Sequence, residues 1–341
     1  MSLTTSLRDF AYPKREEVDS RFYEHPIARG YEELSRYLDN SFYHYRIYEQ
    51  LWAEKQMPFT VRVAKYAHMA EVWAIRAEIM LCVAKNFLDI QSANHFEEAA
   101  KMYARNEQGI LDVFRKYGCD VEIDDSEVSL KEIEKNRTLV YANHQRSGIE
   151  TLLLRGIIKR PIHVVMKDEM KRSPLIGEMQ DKSGAIYVPR QELDFRKLDV
   201  GPLTQQIADG LIADGGVLIF PEGTKSESGE ICGNWKKGRG RRQWAKTIDD
   251  GIDDALGSSR NAILKVLAIL DVHNLFDKNL DQEPFKSTIR KKAGIRVKLV
   301  PMEGKSMNEN WQNYTDENTV FGTMRKTLLG FQETLRKELG R

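Results

Sequence analysis

Val217-Leu218-Ile219-Phe220-Pro221-Glu222-Gly223-Thr224-Lys225-Ser226 decides how this chain is read. Four apolar residues stop abruptly at Pro221, and a carboxylate, a glycine, a hydroxyl and a cation follow. The run reads as a buried strand, and Pro221 with Gly223 places a loop at its carboxyl end. In open α/β sheets, ligands collect at that end of the strands. The same layout occurs upstream. Leu139-Val140-Tyr141-Ala142 runs into Asn143-His144-Gln145-Arg146-Ser147-Gly148, after which Ile149, Leu152, Leu153 and Ile157 recur at helix spacing.

Working outward, short apolar runs alternate with helical patterns at 138–142, 162–166, 185–188, 216–220, 262–270 and 295–300. That alternation predicts an α/β fold, a mostly parallel mixed sheet flanked by helices. The region 27–117 differs. It is rich in Ala, Glu, Leu, Tyr and Arg, and Tyr31, Leu34, Tyr37 and Leu38 share a helix face, as do Ala67, Ala70, Ala74 and Ile75. It predicts an N-terminal all-α helical domain, with breaks at Pro58 and 91–94. The acid-rich stretch 118–129 reads as a linker. The expected division is 1–125 for the helical domain and 126–341 for the α/β domain, closed by an amphipathic helix over 320–339.

Composition narrows the function classes. Lys and Arg number 52 against 51 Asp and Glu, a formal net charge of +1, so no global charge points to nucleic acid. Cys82, Cys119 and Cys232 lie far apart without metal-ligand spacing, which fits a reducing cytoplasm and predicts no metal and no cofactor. The most apolar helical stretch, 63–88, is interrupted by Lys65, Glu71, Arg76, Glu78 and Lys85, so no membrane span is expected. The first residues lack a signal-peptide core. A cytoplasmic protein is expected, peripheral on the inner face of the membrane if it touches one.

Phe220-Pro221-Glu222-Gly223-Thr224-Lys225-Ser226 resembles the acceptor-binding signature of the glycerophospholipid acyltransferases, the superfamily of glycerol-3-phosphate and 1-acylglycerol-3-phosphate acyltransferases. Asn143-His144 resembles its catalytic block, which carries an acid five residues after the His. Here Ile149 holds that place and Glu150 comes one residue later. Between the two blocks, Lys167, Glu169, Pro174, Gly177, Gly184, Ile186 and Arg190 match the family's order. Trp235-Lys236-Lys237-Gly238 matches a downstream aromatic-Lys-Gly element. The fourth block fits poorly, because Lys265 or Val266 stands where the family has Pro. The resemblance covers roughly residues 135–275, and the missing membrane helices look more like the soluble plastid glycerol-3-phosphate acyltransferases.

The resemblance implies an O-acyltransferase. It would move a fatty acyl group from acyl carrier protein or coenzyme A to glycerol 3-phosphate or a lysophospholipid, with lysophosphatidate the alternative acceptor. His144 would be the general base, a role that needs a pKa near the working pH. Glu150 either orients that imidazole or closes a capping box with Ser147. Arg190 either grips the acceptor phosphate or ends an edge strand. Lys225 and Thr224 would assist with the phosphate. Glu222 either holds the acceptor, shapes its loop, or pairs with Lys225 or Lys167, and Gly223 allows close backbone approach. Backbone N–H groups at Ser147 and Gly148 would face the oxyanion. The competing class is a catalytically inactive lipid or acyl-carrier-protein binding module, motivated by the displaced acid. Lys236, Lys237, Arg239, Arg241, Arg242 and Lys246 form a basic cluster interleaved with Trp235 and Trp244. It reads as a solvated face, a contact with an anionic membrane, or a dock for acyl carrier protein. The chain around it has no nucleic-acid module.

Overall fold

The computed structural model describes residues 120–144, 150–172, 176–188, 200–213, 215–223, 240–271, 294–305, 307 and 318–338, with scattered positions between 78 and 116. Most of the expected helical domain, and with it the breaks at Pro58 and 91–94, lies outside them. The sheet and its helices fall in one compact unit, Pro58–Asp168 with Met179–Arg341, and Glu169–Glu178 group apart from it.

Seven strands form one mixed sheet. They are β1 (Asp120–Asp124), β2 (Arg137–Ala142), β3 (His163–Lys167), β4 (Ile186–Val188), β5 (Gly216–Ile219), β6 (Ile263–Asp271) and β7 (Gly294–Pro301). Their order across the sheet is β1-β7-β6-β2-β5-β3-β4. Neighbours are parallel except for β6 and β7, which are antiparallel. The six expected strands are therefore present, and the mixed, mostly parallel sheet with them.

β2 and β5 are central, and every residue from Thr138 to Ala142 and from Gly216 to Ile219 is buried. Burial on both faces explains why these strands read as continuous apolar runs rather than alternating ones. The described helices include α1 (Leu130–Lys135), α2 (Glu150–Ile158), α3 (Ile176–Lys182), α4 (Gly201–Ala213), α5 (Gly240–Leu256) and α6 (Val320–Glu338). Leu139 and Tyr141 of β2 face the cluster built by α4, α5 and α6. Val140 and Ala142 face the cluster built by α1 and α2. The strand's period of two thus divides one element between two cores. Leu153, Leu154, Ile157 and Ile158 of α2 are all at most 2% exposed, each contributing about 1.5–3 kcal/mol by burial.

The acid-rich stretch is not a linker. Asp120–Asp124 is an edge strand, parallel to β7, with Glu122 opposite Arg296 and Asp124 opposite Lys298. Arg296 Nε lies 3.4 Å from Glu122, and Lys298 Nζ lies 3.6 Å from Asp124 and 2.8 Å from Glu127. Cross-strand partners of opposite charge support the pairing. Val121 and Ile123 alternate with the acids and pack on the sheet's cluster. The sheet therefore begins before residue 126. Leu111 and Phe114, expected in a separate helical domain, are 1% exposed in the same cluster as β2 and α2.

Helix ends follow their capping chemistry. Ser129 and Glu132 form a reciprocal capping box on α1. Thr319 Oγ1 accepts from Gly322 N–H at 3.0 Å and starts α6, whose Val320, Phe321, Met324 and Leu328 are buried as its amphipathic pattern predicts. Gly184, at φ 71°, stops α3, with its N–H on Asp181 C=O and the Ala185 N–H on Gln180 C=O. That pair of bonds is a Schellman motif, and it gives the glycine of the Gly184-x-Ile186 match a backbone reason.

Candidate active site

β6, β2, β5, β3 and β4 run parallel, so their carboxyl ends share one edge of the sheet. Three of the predicted site segments arrive there: His144 after β2, Glu222 and Gly223 after β5, and Lys167 at the end of β3. Lys167 is exposed at that edge. Arg190, Thr224, Lys225, Ser147 and Gly148 lie outside the described residues.

His144 is held from several sides. Its backbone N–H donates to Glu222 Oε1 at 2.9 Å. Its ring sits against Phe220, with centroids 4.5 Å apart and planes inclined by 32°. Its Nδ1 lies 3.7 Å from Glu150 Oε2. Glu150 opens α2 and is fully buried, whereas the imidazole keeps 18% of its surface exposed. A buried carboxylate carries a large desolvation cost, which a nearby cation or donor reduces. Nδ1 is the ring nitrogen turned toward the carboxylate, at 3.7 Å and outside hydrogen-bond distance. The displacement of the acid by one residue still leaves it near the ring, because the longer Glu side chain starts at the first turn of α2.

Glu222 is 3% exposed and belongs to a tight turn closed by Gly223 N–H on Phe220 C=O at 2.9 Å. Pro221 occupies the second position of that turn, where its fixed φ is pre-set. Gly223 has φ 64°, a conformation that costs a residue with a Cβ. Of the alternatives for Glu222, one oxygen of its carboxylate shapes the loop by holding the His144 peptide.

The sequence named Asn143 only as the partner of His144, yet its role is visible in the geometry. The side chain is fully buried, donates to Leu270 C=O at 2.9 Å and accepts from Leu270 N–H at 2.7 Å. Phe220 was read as the end of a strand and the first residue of the signature, with no contact of its own. Its residue type gave no hint of the ring contact, since any large apolar side chain suits a strand end.

A second polar assembly lies deeper on β2. Tyr141 donates to Asp249 Oδ1 at 2.5 Å, and Lys265 Nζ bonds Asp249 Oδ1 and Asp253 Oδ1, each at 2.8 Å. Burial, then the Asp249 charge and hydrogen bond, push the Tyr141 phenol well above its ordinary pKa. Burial alone would lower the Lys265 pKa, but Asp249 and Asp253 outweigh it and raise it. Lys265 is one of two candidates, with Val266, for the place where the resembled family has Pro, and this network is what holds it.

Of the basic cluster, Lys246 is paired on its own helix with Asp250 at 2.7 Å, as a solvated face would be. Residues 231–239 are outside the described residues. Among the described residues no group of three His, Cys, Asp or Glu is placed to hold a metal, and no helix is long and apolar enough to cross a membrane.

Comparison with known proteins bears on the same segment. Residues 121–245 match the family model described as Acyltransferase. No curated protein matches by sequence. The fold is similar to the crystal structure of the 1-acyl-sn-glycerophosphate acyltransferase PlsC from Thermotoga maritima, with a TM-score of 0.50 and 16% identity over 77% of this chain and 97% of that one. Both match blocks, the one around His144 and the one around Glu222, lie inside the matched range and on one sheet edge. Residues 121–245 thus carry an acyltransferase family match on the sheet edge that bears His144 and Glu222, and the fold is similar to that of PlsC.

Proposed function

We propose that this chain is an O-acyltransferase. It moves a fatty acyl group from acyl carrier protein or coenzyme A to a hydroxyl of a phosphorylated glycerol, glycerol 3-phosphate first and lysophosphatidate as the alternative. The observation that carries the reading is the His144–Glu150 pair, 3.7 Å apart at the carboxyl edge of a parallel sheet. The inactive binding-module alternative was motivated by an acid out of place, and a separation of 3.7 Å supports the catalytic reading over it.

In this reading Nε2 of His144 takes the proton of the acceptor hydroxyl as its oxygen attacks the thioester carbonyl. Glu150 steadies the imidazolium through Nδ1–H. The tetrahedral intermediate places its oxyanion near the backbone N–H groups of Ser147 and Gly148, just ahead of α2, where the helix dipole favours negative charge. Collapse breaks the C–S bond, and the thiolate takes the proton back from His144. No covalent acyl-enzyme is needed.

The acceptor phosphate would be held at the far side of the same edge. β4 lies three interstrand steps from β2, about 14 Å, and Arg190 follows β4 by two residues. An extended arginine and a three-carbon phosphate together bridge such a gap. Lys167, at the end of β3, together with Lys225 and Thr224 would add positive charge and a hydroxyl. Glu222, committed to the His144 peptide by one oxygen, acts on the acceptor chiefly by fixing its loop. The basic segment 236–246 would bring the protein to an anionic leaflet, where each cation near the surface contributes on the order of 1 kcal/mol.

The test is an acyl-transfer assay with labelled acyl-CoA and acyl carrier protein thioesters against glycerol 3-phosphate, lysophosphatidate and a lysophospholipid without a phosphate monoester. Transfer to a phosphate-monoester acceptor is expected. Acyl carrier protein bound without transfer to any of the three would establish the binding module instead.

A further inference from the structure

We propose that Asn143 is a positioning residue: its side-chain amide stands in for a peptide unit of the sheet, clamps the start of the His144 loop to β6, and so sets how the imidazole meets Glu150. The kinetic part of this proposal rests on the acyl-transfer reading above; the structural part does not.

The backbone ladder between β2 and β6 ends at Ala142 opposite Ala268. β6 continues to Asp271, so the next β6 residue that can pair toward β2 is Leu270. The chain of β2 has left the sheet by then. Asn143 fills the rung with its side chain, donating to Leu270 C=O at 2.9 Å and accepting from Leu270 N–H at 2.7 Å. Only an amide of this length offers one donor and one acceptor in the geometry of a peptide. The rung is fully buried, so losing it would leave backbone groups of Leu270 without a partner.

The next peptide is held from the other side. The His144 N–H donates to Glu222 Oε1, on the turn after β5. Residues 143 and 144 are therefore fixed between the two neighbours of β2, through a side chain on each side. Such a two-point hold lets the backbone turn out of the sheet and still aim the ring at Glu150, 3.7 Å away. Asn143 itself bonds only backbone in this arrangement and acts through His144.

The experiment compares Asn143→Asp with Leu139→Ala, a core deletion earlier in the same strand. An ionised carboxylate accepts from Leu270 N–H but cannot donate to Leu270 C=O. Near neutral pH, N143D should lower kcat by about 10- to 100-fold, because small misplacements of a reacting group cost that much. The KM for the acceptor should stay within about threefold, since uniform binding is untouched. L139A should lose as much thermal stability or more, yet keep kcat per folded molecule. Acidification is a rescue: the protonated carboxyl of the variant again has one donor and one acceptor, so the kcat ratio of N143D to wild type should rise as pH falls through the carboxylate range. Without any substrate, the His144 ring resonances, assigned by their absence in H144A, should move in N143D and not in L139A. Wild-type kcat with unmoved ring resonances in N143D would overturn the clamp, as would an equal loss of kcat in L139A. If wild type transfers no acyl group, the acyl-transfer reading falls and the ring resonances alone decide the clamp.

Discussion

β2 carries two buried polar assemblies three residues apart, and they are built to opposite rules. Tyr141, Asp249, Lys265 and Asp253 form a closed network of two hydrogen bonds and an ion pair, with contacts of 2.5 and 2.8 Å. His144 and Glu150 approach only to 3.7 Å, and the ring keeps partial exposure. The closed network ties β2, α5 and β6 together, and satisfied polar groups of this kind rigidify a core. The open pair keeps an imidazole nitrogen available and leaves slack that a bound substrate would take up, as catalytic hydrogen bonds commonly tighten only in the complex. Short contacts mark the structural network, and the looser pair is the one proposed to react.

The largest effects should separate the two assemblies cleanly. His144→Ala should cut kcat by about 10³-fold, the usual scale for a general base, with little change in Tm. Lys265→Met should do the reverse. It leaves Asp249 and Asp253 without their cation and should cost about 2–3 kcal/mol of stability, toward the low side for a buried pair because Asp253 is a third exposed. Its kcat per folded molecule should match wild type. Steady-state kinetics alongside thermal unfolding reads both. Activity lost in K265M at full folding would erase the distinction.

Glu150→Gln sharpens it further. Glutamine serves a capping box as well as glutamate does, but carries no charge for an imidazolium. If Glu150 supports His144, kcat should fall by roughly 10- to 100-fold with the acceptor KM unchanged, less than the roughly 10⁴-fold of a hydrogen-bonded triad acid because this pair stands 3.7 Å apart. Tm should hold or rise, because a fully buried carboxylate costs desolvation that an amide does not. Unchanged kcat would return Glu150 to a capping role.

The closed network also predicts an alkaline limit. The Tyr141 phenol, ordinarily near 10.0, is raised by burial first and by Asp249 second. Above about pH 10 the unfolded chain releases this proton while the folded chain still holds it. The folded state then binds more protons than the unfolded one, and stability falls as pH rises, by up to about 1.4 kcal/mol per unit. Below that pH the contribution is complete. Lys265, raised from 10.5, acts in the same direction. Tyr141→Phe should flatten the alkaline slope in chemical denaturation, whereas His144→Ala should leave it unchanged.

These contrasts also show what the sequence could convey. The six apolar strands were legible because runs such as 138–142 and 216–220 are buried on both faces. β1 was not, since its outward acids masked the alternation of Val121 and Ile123. Their partners, Arg296 and Lys298, lie some 170 residues on, beyond any local pattern. His144, Glu150 and Glu222 were legible as residues, and the structure brings them together. The direction of Glu222's bond was not, because a carboxylate after a strand suits a ligand, a cation or a backbone N–H equally. Asn143 escaped for the same reason: its partner is a backbone, which leaves no side-chain signature.

The smallest effect uses two glycines with the same backbone strain. Gly223 has φ 64° and Gly304 φ 73°, and a Cβ added at Gly304 meets nothing within 4 Å. Alanine at either position should cost about 1 kcal/mol, because the left-handed region disfavours a Cβ. Only Gly223 closes the turn whose Glu222 holds the His144 peptide. Relaxing that turn would draw the carboxylate from the His144 N–H at 2.9 Å and let the ring drift from Glu150. G223A should therefore lower kcat severalfold at a loss of Tm equal to that of G304A, whose kcat should stay at wild type. Equal kcat in the two variants would mean that the turn after β5 does not govern the imidazole, and that the hold on His144 comes from β6 alone.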